Sequence, residues 1–179
     1  MGIDAKELLD NNEIMPYKSK IMNILLSSKT LYELVTNKSC EDIELAENLI
    51  GVNYVPHLFV DGTITKTQAY VLFDIDQRSV MRKDAGKSTY SSYTVRFDIF
   101  CHKGIYMVDE LGYTRCDCIV AELRRLFKDK LLYSDGSLGI STNQKVSDTV
   151  IPASNNDFVA RELVFTITDF DERVQKRYG

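Results

Sequence analysis

The stretch Ala69-Tyr-Val-Leu-Phe-Asp-Ile-Asp76 sets Ala69, Val71, Phe73 and Ile75 on one side of an extended chain. Tyr70, Leu72, Asp74 and Asp76 fall on the other. Side chains alternate across a strand, so this pattern describes a half-buried strand with its apolar row toward a core. A second stretch at 91–101 repeats it, with Tyr93, Val95, Phe97, Ile99 and Cys101 opposite Thr94, Arg96, Asp98 and Phe100. Residues 77–90 between them are polar and include Arg78, Arg82, Lys83, Asp84, Gly86 and Lys87. Two strands joined by a polar connection predict an antiparallel pair, with 83–87 as an exposed tip.

Working outward toward the C-terminus, Gly104 and Gly112 bracket a loop, and a helix is expected over Thr114–Leu131. Its apolar stripe is Cys116, Ile119, Val120, Leu123, Leu126 and Phe127, and Lys128 and Lys130 suit its C-terminal end. Asp135-Gly136 and Gly139 form a turn cluster, and a Ser/Thr-rich strand is expected over 138–151. A last strand, Phe158–Phe170, sets Val159, Leu163, Phe165 and Ile167 against Ala160, Glu162, Thr166 and Thr168. This half reads strand–strand–helix–strand–strand.

Toward the N-terminus the pattern turns helical. Residues 1–12 suggest a short helix that Pro16 interrupts. Residues 17–35 recur apolar at Ile21, Ile24, Leu25, Tyr32 and Val35, with a break at Ser27-Ser28 and a new helix near Thr30. A third helix is expected at 41–50, capped by Ser39 and ended by Gly51. Asp61-Gly62 marks a turn, so Tyr54–Val60 and Thr63–Thr67 suggest a hairpin or an extended excursion. The expected fold is α+β, a mainly antiparallel sheet with a long helix on one face, preceded by a helical N-terminal segment. The divisions are 1–51 helical, 52–170 the α+β core, and 171–179 a charged tail.

At 179 residues, 44% hydrophobic and 27% charged, the chain can bury a core without metal or disulfide staples. Its apolar runs are strand-sized, which points away from a membrane span. The start lacks the basic and apolar regions of a secretory signal, so assembly in the cytoplasm is expected. A net charge of −4 argues against DNA as a tightly held ligand, because non-specific binding needs a basic face. The four cysteines, Cys40, Cys101, Cys116 and Cys118, are too few for a disulfide scaffold, and Cys40 and Cys101 read as buried thiols.

Three constellations could carry chemistry. Tyr70–Asp76 ends in Asp-x-Asp and resembles the first motif of haloacid-dehalogenase-type phosphatases. There the first carboxylate attacks phosphorus and the second acts as acid/base beside magnesium. Gln77 and Arg78 stand where that family has a Gly-Thr or Thr/Val pair, and no second acidic pair follows in helical context. The simpler reading leaves Asp74 and Asp76 in solvent at a strand end. A nuclease reading would gather Asp74, Asp76, Asp98 and Glu122 on a metal. A zinc reading would use Cys101, His102, Cys116 and Cys118, although residues two apart on a helix point about 200° apart. His57 and His102 are the two histidines, and each reads as structural. No catalytic residue, metal ligand or cofactor is therefore assigned.

The element order, with Val95-Arg-Phe-Asp-Ile-Phe-Cys-His102 feeding Arg115-Cys-Asp-Cys-Ile-Val-Ala-Glu-Leu123 and a closing Leu163–Phe170 strand, resembles the tail-terminator, tail-completion and neck proteins of tailed bacteriophages. The resemblance covers roughly residues 65–170. It implies a structural virion protein, assembled in the host cytoplasm without a membrane or cofactor. The implied form is a ring, a hexamer, at the head-proximal end of the tail, which ends the tail tube and joins it to the head connector. Its implied partners are its own copies, the tail tube protein and a head-side connector or stopper, with DNA passing through unbound. On this reading Arg78, Arg82, Lys83, Asp84 and Lys87 form a subunit-contact or channel loop. The alternatives are a head-completion or stopper protein, and a small metal-dependent hydrolase using Asp74 and Asp76.

Overall fold

Two helices lead into the sheet, and a break separates them. In the computed structural model, which describes residues 14–39, 47–58, 66–81, 89–108, 112–127, 146–153 and 156–169, they are α1, Ile14–Leu26, and α2, Lys29–Thr36. The break falls at Ser27-Ser28, as the hydroxyl pair predicts, because Ser28 serves α2 better as a cap than as a helix interior residue. Pro16 does not end a helix. It lies in the first turn of α1, where its missing N–H leaves no helical bond unmade. Asn37 closes α2 in the left-handed region, φ 58°, and its N–H donates to the Glu33 carbonyl at 2.9 Å.

Of the third helix expected at 41–50, residues 41–46 lie outside the described residues, and 47–49 form a 3-10 turn. Gly51 follows at φ 72°, a conformation that favours glycine. The extended excursion is real at Tyr54–Val55, strand β1, but its partner is β2, in parallel. The Asp61-Gly62 turn lies outside the described residues, as does the helix expected at 1–12.

The sheet order is β1-β2-β3-β5-β4, with β2 Ala69–Met81, β3 Thr89–His102, β4 Val146–Ile151 and β5 Phe158–Asp169. All pairs but the first are antiparallel. The polar connection expected at 77–90 is shorter than its composition suggests. β2 and β3 stay paired as far as Met81↔Thr89, because polar side chains do not break a ladder in the way Gly or Pro does. Helix α3, Arg115–Phe127, lies on one face; residues 128–131 of the expected helix and 138–145 of the expected strand are outside the described residues.

The odd-numbered rows of β2, β3 and β5 meet α1, α2 and α3 in the main core. Its centre is aromatic. Phe97 sits 5.0 Å from Phe127 and 6.0 Å from both Phe73 and Phe165, between ring centroids. The opposite face has a smaller cluster of Tyr70, Leu72, Phe100, Phe158 and Ala160, covered partly by Val55 and Leu58.

Candidate functional site

The carboxylates that suggested chemistry lie on two sides of the sheet. Asp98 is 4% exposed on the even-numbered face, and Arg96 grips it with two bonds of 2.9 and 3.0 Å. Arg96 also meets Glu162 at 2.7 Å, and the hydrogen bond to Asp98 pushes its pKa upward. Asp74 pairs with Lys18 of α1 at 2.7 Å and accepts the Ile75 N–H at 2.8 Å. Glu122 belongs to α3 on the other face. It accepts the Ser28 hydroxyl at 2.5 Å and two bonds from Arg125 at 2.6 Å. A metal cannot collect Glu122 with Asp74 and Asp98 through the sheet. Among the described residues no group of three or more His, Cys, Asp or Glu is placed to hold a metal ion.

The cysteine set divides for the same reason. Neighbours on a strand point to opposite faces, so Cys101 enters the main core while His102 turns away. His102 accepts the Gly104 N–H at 2.9 Å and stands edge-on to Phe158, with ring centroids 5.2 Å apart. Cys101 and Cys116 are both free and buried. A hydrogen bond with Cys116, and then burial, push the Cys101 thiol far above its ordinary pKa. Such a thiol is inert packing and a poor nucleophile or ligand. Cys40 lies outside the described residues.

Of the basic loop, Arg78 stands on β2 in register with Ser92. Arg82, Lys83, Asp84 and Lys87 lie outside the described residues.

Two polar arrangements were not read from the sequence. The first is Arg115, a buried cation at the start of α3. Its three bonds go to the Ile105 carbonyl at 2.7 Å, the Leu34 carbonyl at 2.9 Å and Asn37 Oδ1 at 2.8 Å. A cation at a helix N-terminus is unfavourable for that helix. That misfit was the available signal, and the structure resolves it: the guanidinium serves the C-terminus of α2. The second is a groove of about 340 Å³ between α3 and the sheet edge, lined by Asp117, Val120, Ala121, Arg124, Asp148 and Arg161. Asp148 joins Arg124 at 3.1 Å and Arg161 at 2.9 and 3.0 Å, and Arg161 also pairs with Asp117. These charges neutralise one another and latch α3 to β4 and β5.

Ionisable groups that bind each other, buried free thiols and an interlocked helix layer make up this α+β domain, and among the described residues no metal-holding group is assembled. The YomW family model matches residues 19–167, and the chain belongs to that family, one of bacteriophage tail-terminator and neck proteins. No curated protein matches the chain. Family membership makes this a structural protein of the virion tail and neck, not an enzyme. The family role implies contact with the tail tube and head connector proteins. No described helix is long and apolar enough to cross a membrane.

Proposed function

We propose that copies of this chain form a hexameric ring at the head-proximal end of the tail, which stops growth of the tail tube and seats the head connector. The observation that carries this reading is the family match over residues 19–167. The α+β architecture supports it, since a sheet backed on one face by helices is a rigid wedge that can repeat around an axis. Net charge −4 suits a ring through which DNA slides, because like charge limits sticking. Assembly in the host cytoplasm belongs to the same proposal. The division into a helical segment 1–51, a core 52–170 and a tail 171–179 belongs to this proposal: the core forms the ring body and the N-terminal helices thicken its wall.

Arg78, Arg82, Lys83, Asp84 and Lys87 are proposed to contact the neighbouring subunit or the channel. The β2–β3 pairing runs as far as Met81↔Thr89, and residues 82–88 connect those two strands in the sequence, which supports this reading. Negative-stain microscopy of the purified protein is expected to show six-fold rings. A variant lacking 83–87 is expected to fold as a monomer and to lose ring or joint formation. Uniform monomers in the intact protein, or normal joining by the deletion variant, would remove the ring and the loop assignments respectively.

A further inference from the structure

We propose that Cys101 and Cys116 form a reversible oxidation site, a dithiol that closes into a disulfide between β3 and α3 when it meets a small-molecule disulfide. The inference does not depend on the ring reading, so the two can fail separately.

Three positions converge in the main core. Cys101 stands directly opposite Val159 in the β3–β5 ladder. The Cys116 thiol, from the first turn of α3, donates to the Val159 carbonyl at 3.6 Å. Cys116 therefore lies over the ladder pair that contains Cys101, and the two thiols are hydrogen-bonded to each other. Both side chains are fully buried in one cluster, and both are free.

Each sulfur is carried by an element that is anchored on its own account. Cys101 is paired on both flanks, with Ala69 of β2 and Val159 of β5. Arg115, the neighbour of Cys116, ties the start of α3 to the Ile105 and Leu34 carbonyls, and its backbone N–H donates to the Tyr106 carbonyl at 2.6 Å. The fold thus brings the two thiols into contact and keeps them there.

The step is two successive exchanges. One cysteine thiolate attacks a sulfur of the small disulfide, breaks its S–S bond and forms a mixed disulfide. The released thiolate takes up the proton that the cysteine gave up. The second cysteine thiolate then attacks the protein sulfur of the mixed disulfide, forms the Cys101–Cys116 bond and releases the second small thiol. The cysteines lose two electrons, and the small disulfide is reduced to two thiols.

Burial makes the pair slow to react, because the thiolate is the attacking species and apolar surroundings disfavour it. Exchange therefore takes place as α3 opens briefly from the sheet, and the closed bond is shielded from reductants in its turn. A virion protein passes from the cell that makes it to the surroundings of the free particle, and disulfides persist in oxidising settings but not in reducing ones. In the free particle the bond fastens the helix layer to the sheet. Closing a loop of about 15 residues favours folding by roughly a hundredfold in the folded-to-unfolded ratio.

The test takes the full chain, prepared reduced, into mixtures of reduced and oxidised glutathione. Cys40→Ser with Cys118→Ser leaves this pair as the only cysteines. Intact mass is expected to show the loss of two hydrogens, and peptide mapping to join Cys101 to Cys116 in wild type and variant alike. The closed form is expected to keep the native circular dichroism and to raise the folded-to-unfolded ratio in urea at least about tenfold, reversibly with dithiothreitol. Adding Cys116→Ser is expected to abolish that gain. A folded wild type that keeps both thiols in oxidised glutathione overturns the proposal, as does a bond that maps to Cys40 or Cys118 instead. A bond that closes only in urea, or that lowers native stability, overturns it too. If the serine variant does not fold, the wild-type map and urea curves decide.

Discussion

The Ser28 hydroxyl donates to the Glu122 carboxylate at 2.5 Å, joining positions 94 apart in sequence. The same hydroxyl oxygen accepts the Leu31 N–H at 3.1 Å, so the N-cap of α2 is held in place by α3. Arg115, on the same face of α3 and two turns earlier, holds the Leu34 carbonyl and Asn37 at the other end of α2. The spacing fits, since seven residues of helix advance about 10.5 Å and a helix the length of α2 spans about 12 Å. One helix therefore grips both ends of another, and the two run antiparallel over the helix-bearing face of the sheet.

Replacing Ser28 with Ala removes the cap and one partner of a buried carboxylate, with an expected loss of about 1–2 kcal/mol. Glu122→Gln is expected to cost a similar amount. The double variant should lose less than the sum, with a coupling of about 0.5 kcal/mol or more in urea unfolding. Strict additivity would show that the two side chains do not act as a pair.

Arg115→Lys keeps the charge and discards the planar fork. An ammonium cannot span the Ile105 and Leu34 carbonyls and the Asn37 amide at once. The expected destabilisation is about 2–3 kcal/mol, since bonds to a charged group are strong and orphaned buried acceptors are costly. Hydrogen exchange should rise first over 29–37, the helix that loses its C-terminal partner. A lysine variant as stable as the wild type would mean that water replaces the fork without cost.

How much of this was legible in the sequence follows from which interactions are local. The alternation through Phe73, Phe97 and Phe165 declares a strand face wherever one side is buried, so the α+β layout and the main core could be read. The extent of the β2–β3 hairpin could not, because Gln77–Met81 carries polar residues that pair as well as apolar ones do. The parallel partner of Tyr54–Val55 was likewise hidden, since two residues hold no information about direction. Ser28 and Glu122 each looked ordinary alone, and Arg115 showed only as a cation misplaced at a helix N-terminus. Their meaning lies in contacts across 78 to 94 positions, which no local pattern encodes. Asp74 and Asp76 are the opposite case, a sharp local motif around which no metal-holding companions gather among the described residues.

The acidic residues of the even-numbered face give a graded prediction. Asp74 has a 42% exposed side chain, and its pair with Lys18 is a surface one, so Asp74→Asn is expected to cost no more than about 1 kcal/mol. Asp98 is buried and doubly bonded, though its partner Arg96 is 41% exposed, so Asp98→Asn is expected to cost about 1–3 kcal/mol. Neither substitution should change phosphoester turnover with magnesium present, because the wild type is expected to have none above a blank. Magnesium-dependent turnover lost with Asp74→Asn would restore the hydrolase reading.

Stability should fall on the alkaline side, and the sign follows from two buried groups. Cys101 is raised by its bond with Cys116 and then by burial, and Tyr70 is raised by burial against a smaller opposing bond from Gln68. Both are neutral below their ordinary pKa values. As pH rises the unfolded chain releases these protons while the folded chain keeps them, so the unfolded state is favoured. The contribution of Cys101 is intact below about pH 9 and declines above it, and that of Tyr70 is intact below about pH 10. Each group adds a slope of up to about 1.4 kcal/mol per pH unit. Urea midpoints measured from about pH 8 to about pH 10.5 should therefore decline, and Cys101→Ala should flatten the first part of that decline. The alanine also opens a small cavity that lowers stability at every pH, so the slope is the quantity to compare. Parallel slopes for wild type and variant would show that Cys101 ionises as readily in the folded chain as in the unfolded one.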